Sequence, residues 1–448
     1  MTRKKERIKL SEHFTYSKLL RFVFPSVVMM VFTSVYGMVD GLFVSNYVGT
    51  TPFAAINLIW PLIMMVSALG FMIGTGGTAI VAKTFGEGEN EKANRYFSML
   101  VYSATIGGVI LALVGIPFLR PISVMLGAEG EMIDDCVLYG TVLLISMPFF
   151  MLQNVFQSFF VTAEKPKLGL LVTVGAGVVN IVLDAAFIVW FEWGLIGAAL
   201  ATALSQFVGG VLPFLYFARK NDSLLRLCKT KFYGKIFFKT CTNGSSELMS
   251  NVSASLVSML FNHQLLKMAG ENGVAAYGVL MYVSFVFAAI FIGYAVGGSP
   301  VISYHYGAEN SGELKNLFRK SLVIVGLAGL LMLASGQLLA APLSSLFTGY
   351  DKELYDITLN GFRIFAFSFI LSGFNIFGSA FFTALNNGSV SAVISFLRTL
   401  VFQVVGVVLL PLIFGLDGIW YSMVAAELLS FVVTGVFIVA KRKKYNYV

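Results

Sequence analysis

The chain of 448 residues is too apolar for an ordinary soluble protein, because 57% of its residues are hydrophobic and only 12% are charged. Soluble domains average about 25% charged residues, so this composition excludes a soluble globular enzyme and a disordered chain. The formal net charge of +8 at first suggests a nucleic-acid partner, but the placement of the basic residues excludes one.

Apolar segments long enough to cross a bilayer as helices follow one another along the whole chain. Their length and the absence of strict alternation favour helices over a β-barrel. We predict twelve spans, at residues 19–47, 53–82, 94–116, 131–160, 167–191, 195–218, 239–268, 274–304, 317–339, 353–382, 389–413 and 416–440. The sequence therefore predicts an all-α, polytopic membrane protein.

The basic residues are concentrated at one set of span ends. Most of the 31 Lys and Arg fall in the amino-terminal tail, the even-numbered loops and the tail at 441–444, whereas the odd-numbered loops are richer in acids. By the positive-inside rule, both termini should be cytoplasmic, in a cytoplasmic membrane whose anionic lipid the basic tails touch. The charged start precedes no cleavage site, so we expect no signal peptide.

The second half of the sequence repeats the first at a constant offset of 221 residues. For example, TFGEGEN at 84–90 falls on HYGAEN at 305–310, and GLIGAAL at 194–200 falls on GLDGIWY at 415–421. Six helices per repeat give both repeats the same orientation. We predict two six-helix lobes related by a pseudo-two-fold axis along the membrane normal, with lobes at 1–218 and 240–448 and a cytoplasmic linker at 219–239.

Two aspartates fall inside predicted spans. Asp40 lies in span one and Asp184 in span five, and neither has a Lys or Arg near it in its own span. A carboxylate at this depth costs about 3 kcal/mol on insertion scales, so it predicts a functional site. Counted from the outer ends of their helices, Asp40, Asp184 and Thr202 lie in one layer, about 10 Å deep.

Neighbours one helical turn away extend this layer. Tyr36 shares a helix face with Asp40, Asn180 with Asp184, and Gln206 with Thr202. Such oxygens suit a desolvated alkali cation, and two close carboxylates can instead share a proton. Polar groups that merely join helices are the structural alternative. The second repeat argues against that alternative, because it carries apolar residues at the four equivalent positions, Phe261, Val401, Val405 and Met423.

The second half has charges of its own. Arg398 and Glu427 are predicted at one depth, which favours a buried salt bridge, and Arg363 lies in span ten. Glu247, near the cytoplasmic end of span seven, is either a solvated acid or a substrate contact. Pro25 and Pro148 are helix breakers that could permit bending.

Three segments resemble the multidrug and toxic compound extrusion (MATE) family: SVYGMVDGLFVSNYVG, GTGGTAIVAKTFGEGENEKA and NIVLDAAFIVWFEWGLIGAALATALSQ. The tyrosine four residues before the first aspartate is similar to the MepA-like and DinF-like bacterial branches. The resemblance implies a V-shaped carrier that exports organic, mostly cationic compounds in exchange for Na⁺ or H⁺. It also implies an ion site at Asp40, Asn180, Asp184 and Thr202, with Tyr36, Pro25 and Asn154 or Gln153 nearby.

We therefore predict a monomeric secondary multidrug antiporter that has no cofactor beyond the coupling ion, Na⁺ or H⁺. Its small drug-like substrates would meet a cavity for which the candidates are Pro25, Gln153, Asn154, Gln206 and Glu247. A related exporter or flippase of a lipid-linked or anionic substrate is the alternative, and it would need a cationic cavity. An intramembrane enzyme is disfavoured, since none of His13, His263 and His305 lies near the acids. An ATP-driven pump is disfavoured too, since the sequence has no phosphate-binding loop, nucleophile elbow or zinc spacing.

Overall fold

The computed structural model describes residues 8–349 and 351–448, apart from the side chains of Met38, Leu42 and Thr50. The basic residues before residue 8 lie outside the described residues. Nearly all of the described chain is helical. In it, nine helices and two bent helix pairs are long and apolar enough to span a membrane, and one of the nine, Gly234–Gly307, has double length. Divided at its turn, that helix brings the total to the predicted twelve.

The first six spans form the amino-terminal half. They are α1 (Tyr16–Tyr47), α2 (Thr50–Gly86), α3 (Asn90–Met125), α4 (Glu131–Ile145 and Met147–Thr162), α5 (Pro166–Asp184, continued by the π-helical turn Ala185–Trp190) and α6 (Gly194–Ala218).

The other six form the carboxyl-terminal half. They are α7 (234–269) and α8 (271–307), which meet at the non-helical Gly270, α9 (Ser311–Thr348), α10 (Lys352–Ala366 and Ser368–Ala384), α11 (Gly388–Phe396, a π-helical turn Leu397–Val401, Phe402–Leu409 and the short Pro411–Phe414) and α12 (Leu416–Tyr445).

Several helices begin before the apolar segments that predicted them, because polar caps extend them beyond the hydrocarbon. The Asn310 side chain accepts a hydrogen bond from the Glu313 backbone N–H and so starts α9 at Ser311. The Thr15 side chain does the same for the Lys18 N–H at the start of α1. Such caps satisfy backbone donors that the first helical turn leaves unpaired.

The duplication extends to individual helix breaks. α4 bends by 54° at Ser146 and α10 bends by 48° at Phe367, which is 221 positions later. Loop residues with positive φ recur at the same offset, in the pairs Gly49 and Gly270, Gly88 and Glu309, and Gly194 and Gly415. The two halves are thus copies of one six-helix unit, and the predicted two-lobe architecture is confirmed.

The connector between the lobes runs over residues 219–233, because α7 begins at Gly234, inside the segment 219–239 predicted as the linker. It is fastened to α3 of the first lobe. The Asn94 side chain accepts from the Arg226 N–H at 2.7 Å and donates to the Leu224 carbonyl at 3.3 Å, and the Cys228 N–H donates to Ser98 at 2.9 Å. The connector therefore moves with the first lobe.

The two lobes touch at the end that carries the termini, which we call the basic end. There the α2 and α7 backbones come so close that a Cβ on Gly244 would lie 1.9 Å from the Met72 carbonyl oxygen. Near the end of α2, a Cβ on Gly86 would lie 2.0 Å from the Tyr304 carbonyl oxygen of α8. Only glycine permits these approaches, so the closed basic end depends on them.

Residues 8–14, which we call the strap, cross this end and bind both lobes. The Leu10 N–H donates to Glu164 of the first lobe at 2.8 Å, and the Phe14 N–H donates to Glu313 of the second at 2.9 Å. Nδ1 of His13 lies 2.6 Å from the same Glu313 carboxylate. The buried Glu313 carboxylate is thus satisfied by contacts from Phe14, His13 and Asn316.

The opposite end is different. Within residues 8–349 and 351–448, every side-chain hydrogen bond and tight glycine contact that joins the lobes lies in the half nearer the basic end. In the other half, apolar side chains on α1, α7 and α8 are exposed, among them Val35, Met259 and Phe285. The lobes therefore close at the basic end.

Candidate functional site

The side chains of Asp40 and Asp184 meet in the interior of the first lobe. Asp184 is 0% exposed, and both of its carboxylate oxygens are buried without a hydrogen bond from any donor in the described structure. Oδ1 of Asp40 is in the same state, although Asp40 as a whole is partly exposed. Two facing buried carboxylates repel each other, so they favour a cation or a proton between them.

A small residue on α5 brings the two acids together. A Cβ on Gly177 would lie 2.5 Å from the Phe32 ring and 3.1 Å from the Tyr36 ring of α1, so the helices are in close contact at this level. Both helices run from the basic end to the other end. Asp40 and Asp184 follow one and two turns beyond this contact, which places them at one depth, as predicted from the sequence.

Other polar groups surround the pair. The hydroxyl of Tyr36 meets the Gln153 side chain of α4. Tyr139, also on α4, is 1% exposed, lies near both carboxylates and meets the Thr202 side chain of α6. Four helices thus contribute to one polar cluster, which we call the acid cluster.

Two predicted members each have a buried polar atom that makes no hydrogen bond of standard geometry among the described residues. Asn180 is 2% exposed, and its amide nitrogen has no acceptor among the described residues. The hydroxyl oxygen of Thr202 is buried and likewise lacks a hydrogen bond there. Amide and hydroxyl groups can turn an oxygen toward a cation, so these orphaned groups add ligands to the two carboxylates.

Tyr139 was missed by the sequence interpretation. It lies eight residues inside α4 from Glu131, which is roughly 12 Å by the helical rise, close to the depth inferred for the aspartates. A search of all spans for hydroxyl groups at that depth would have found it.

A second missed feature is the π-helical turn Ala185–Trp190, which directly follows Asp184. There the Phe191 N–H donates to the Ala186 carbonyl at 2.9 Å, five residues back. π-Bulges insert a residue into a helix and often accompany functional sites. The turn changes which way α5 faces just beyond Asp184.

The ligand chemistry of the acid cluster fits a monovalent ion. No group of three His, Cys, Asp or Glu that could hold a metal ion occurs between residues 8 and 349 or 351 and 448. The cluster offers two carboxylates with neutral oxygens. That set suits either one alkali cation or a proton shared between the acids, and the same oxygens serve both.

Most of the expected cavity residues are buried in helix packing. Gln206 accepts a hydrogen bond from Ser146 at 2.6 Å, and Asn154 donates to the Ser67 carbonyl at 3.5 Å. Gln153 and Pro25 are also buried. Glu247 on α7 is the partly exposed member of the set, and the charge of Arg398 acts on it.

The predicted salt bridge of the second lobe is confirmed. Arg398 donates from Nε to both Glu427 oxygens at 2.9 and 3.0 Å, and its second nitrogen lies 2.7 Å from Oε1. Asn375 donates to Glu427 Oε2 at 2.6 Å. Arg398 lies in the second π-helical turn, at the position equivalent to Gly177 by the 221 offset. Since Arg363 is exposed, neither arginine gives this lobe a free buried cation.

Glu427→Gln should lower the thermal stability of the purified protein, because it leaves the Arg398 charge buried without its partner, at a cost of about 3–5 kcal/mol. Arg398→Met combined with Glu427→Met removes both charges and should recover most of that loss. The unfolding midpoints of the three proteins in one detergent check this. A double variant as unstable as the single variant would contradict the ion-pair explanation.

The MatE family model matches residues 25–186 and again residues 248–409, so it covers well over half of the chain. The chain belongs to the MatE family. The two matches begin 223 residues apart (248 − 25), which agrees within two residues with the internal offset. The acid cluster falls in the first match, apart from Thr202, and Arg398 falls in the second.

Known relatives agree with this assignment. The chain is 22% identical over 426 residues to the multidrug export protein MepA of Staphylococcus aureus strain MRSA252, covering 92% of this chain and 91% of that protein. It is 27% identical over 320 residues to MepA of Staphylococcus haemolyticus, covering 70% and 69%.

The fold is also known from solved structures. A multidrug resistance MATE family transporter of the MOP superfamily, in an outward-facing conformation, superposes with a TM-score of 0.92 at 24% identity over 99% of this chain and 100% of that one. MatE proteins are transporters, so this chain is a multi-pass membrane transporter and not an enzyme.

Proposed function

We propose that this MatE protein is a secondary antiporter that exports organic, mostly cationic compounds from the cytoplasm in exchange for Na⁺ or H⁺. The observation that carries the proposal is the pair of facing carboxylates, Asp40 and Asp184, with buried oxygens that receive no hydrogen bond from the described residues. The names of the two MepA relatives as multidrug export proteins supply the class of substrate.

The charge distribution supports an orientation with both termini in the cytoplasm of a cell with a cytoplasmic membrane. The basic end then faces inward, and the contacts at Gly244 and Gly86 close the lobes on that side. In this orientation the structure is in the outward-facing state, like the solved transporter described above.

The ion would enter at Asp40, because Asp40 is partly exposed whereas Asp184 is 0% exposed. In the sodium-coupled case, the oxygens of Asp40, Asp184, Asn180 and Thr202 replace the water around Na⁺. In the proton-coupled case, one proton held between the carboxylates relieves their mutual repulsion. Tyr36, one turn before Asp40 on α1, would be a further member of the coupling site in either case.

Coupling requires that ion and drug favour different arrangements of the lobes. The ion changes the charge between α1 and α5, and α1 also packs on α8 of the second lobe, where a Cβ on Gly293 would lie 2.5 Å from Val27 Cα. A change in the position of α1 therefore reaches the interface between the lobes. We propose that a single chain, with its first lobe ending at residue 218 and its second beginning at Gly234, carries out this cycle as a monomer.

On the substrate side, the carboxylate of Glu247 is a partly exposed anion on α7 that could face an organic cation. Pro25, Gln153, Asn154 and Gln206 are buried, so they would meet a drug only after a rearrangement of the helices. A carrier of anionic or lipid-linked cargo would need buried cations of its own. The pairing of Arg398 with Glu427 disfavours that alternative.

The purified protein in proteoliposomes should accelerate the movement of ethidium when a gradient of its coupling ion is imposed, and only then. An inward Na⁺ gradient and, separately, a pH gradient are applied, each with and without an ionophore that collapses it. We expect stimulation by at least one gradient and its loss with the matching ionophore. Ethidium movement that ignores both gradients, or transport of an anionic dye alone, would overturn the proposal.

A further inference from the structure

A crevice of about 1170 Å³ opens at the basic end of the first lobe, between the strap, the start of α1 and the start of α5. It is far from the acid cluster, and the proposed transport cycle does not use it. We infer that it binds the headgroup of an anionic glycerophospholipid from the cytoplasmic leaflet.

The crevice is lined by five basic residues against three acids, which leaves a net charge of +2; the basic residues are Lys9, Lys18, Arg21, Lys165 and Lys167, and the acids are Glu12, Glu164 and Asp222. Two of the basic residues are already paired, Lys18 with Glu12 and Lys165 with Asp222. Arg21 and Lys167 have no carboxylate within 4 Å among residues 8–349 and 351–448, and both are exposed. The lining therefore keeps an excess of positive charge, to which Arg21 on α1 and Lys167 on α5 contribute from two different helices, and such an excess attracts a phosphate group.

The wall behind the rim is apolar. Leu171 lies four residues after Lys167 on α5, so it is one turn, roughly 6 Å, deeper in the membrane than that cation, and the partly exposed Ile8 and Leu168 line the same wall. Leu171 is 68% exposed, so this side of the crevice is open to the surroundings of the helix bundle. A lipid with its phosphate at the basic rim and an acyl chain along the apolar wall would match both parts of the crevice.

This pattern selects the ligand. The uncompensated cations disfavour an organic cation, so the crevice is not a drug entrance. Basic pockets between membrane helices on the cytoplasmic side bind the heads of anionic lipids. The assignment to the cytoplasmic leaflet rests on the proposed orientation of the protein. The binding chemistry does not depend on that orientation, so a test in detergent solution is independent of it.

The test measures the unfolding midpoint of the purified full chain in detergent as phosphatidylglycerol is titrated in. Phosphatidylglycerol should raise the midpoint with a saturable dependence on its concentration, since a ligand of the folded state stabilises it. In Arg21→Gln/Lys167→Gln the half-saturating concentration should rise about tenfold or more, since each basic residue contributes to anionic-lipid binding. Arg21→Lys/Lys167→Arg, which keeps both charges, should bind like the wild type.

Lys441→Gln/Lys443→Gln is the matched control, because it removes two charges from the same end of the molecule but outside the crevice. It should titrate like the wild type. If the half-saturating concentration of phosphatidylglycerol rose equally in both neutralised variants, the effect would come from general surface charge, and the proposal would be overturned. Equal stabilisation by phosphatidylcholine, or by glycerol 3-phosphate alone, would also overturn it, the latter pointing to a soluble phosphate.

Discussion

Asp184→Asn should reduce ion-driven efflux to the level of empty liposomes while leaving the protein as stable as the wild type or more stable. Asp184 is 0% exposed, and both of its oxygens lack a donor, so the wild-type pair of carboxylates is unfavourable when no cation is bound. Asparagine removes one charge and supplies an amide donor for Asp40. It cannot release a proton, and it weakens a cation site by one full charge.

The combination of lost transport and retained stability distinguishes function from structure. If Asp184 only joined helices, replacing it would lower the stability of the protein. Glu427→Gln is the matched comparison, because it makes the same chemical change on a buried acid that already has the partners Arg398 and Asn375. We expect that variant to lose stability. The unfolding midpoints and the ethidium efflux of both variants are measured side by side, with Asp40→Asn expected to behave like Asp184→Asn.

Either of two results would remove the acid cluster from the mechanism. One is efflux in Asp184→Asn that still follows the imposed ion gradient at the wild-type rate. The other is a fall in stability as large as that of Glu427→Gln, which would make Asp184 a structural residue.

The spans could be predicted because hydrophobic length is a local property of the sequence. The two-lobe architecture followed from a constant offset, which the structure repeats at single residues such as Gly49 and Gly270. The bend of α4 at Ser146 precedes Pro148, whose ring disfavours a straight helix. The equivalent of Pro148 in α10 is Phe369, so the bend of α10 had no signal of its own.

The acid cluster was predictable in part. Asp40 and Asp184 stand out because a charge within hydrocarbon is expensive, and their depths follow from counting residues along two helices. The partners Tyr139 and Gln153 were harder to place, since a tyrosine or an amide inside a span is common. The contact that brings α5 onto α1 depends on the missing side chain of Gly177, whose role appears only once its neighbours are known.

The closed basic end could not be predicted from the sequence either, because it too depends on glycines whose neighbours are known only from the structure. Gly244→Val should abolish transport, because a Cβ at this position would lie 1.9 Å from the Met72 carbonyl oxygen of the other lobe. A backbone atom cannot move aside as a side chain can, so the lobes cannot close at the basic end. Gly435→Val is the control, since no atom lies within 4 Å of a Cβ there.

The state of the lobes is measured directly by pulsed electron paramagnetic resonance, with spin labels on Lys92→Cys in the first lobe and Arg442→Cys in the second, in a protein without its native cysteines. Both labelled positions are exposed. In Gly244→Val the distance distribution should shift to longer values and ethidium efflux should cease, while Gly435→Val changes neither. Alternating access requires both arrangements of the lobes, so a variant that transports normally with the lobes held apart would disprove closure at Gly244 as a step of the cycle.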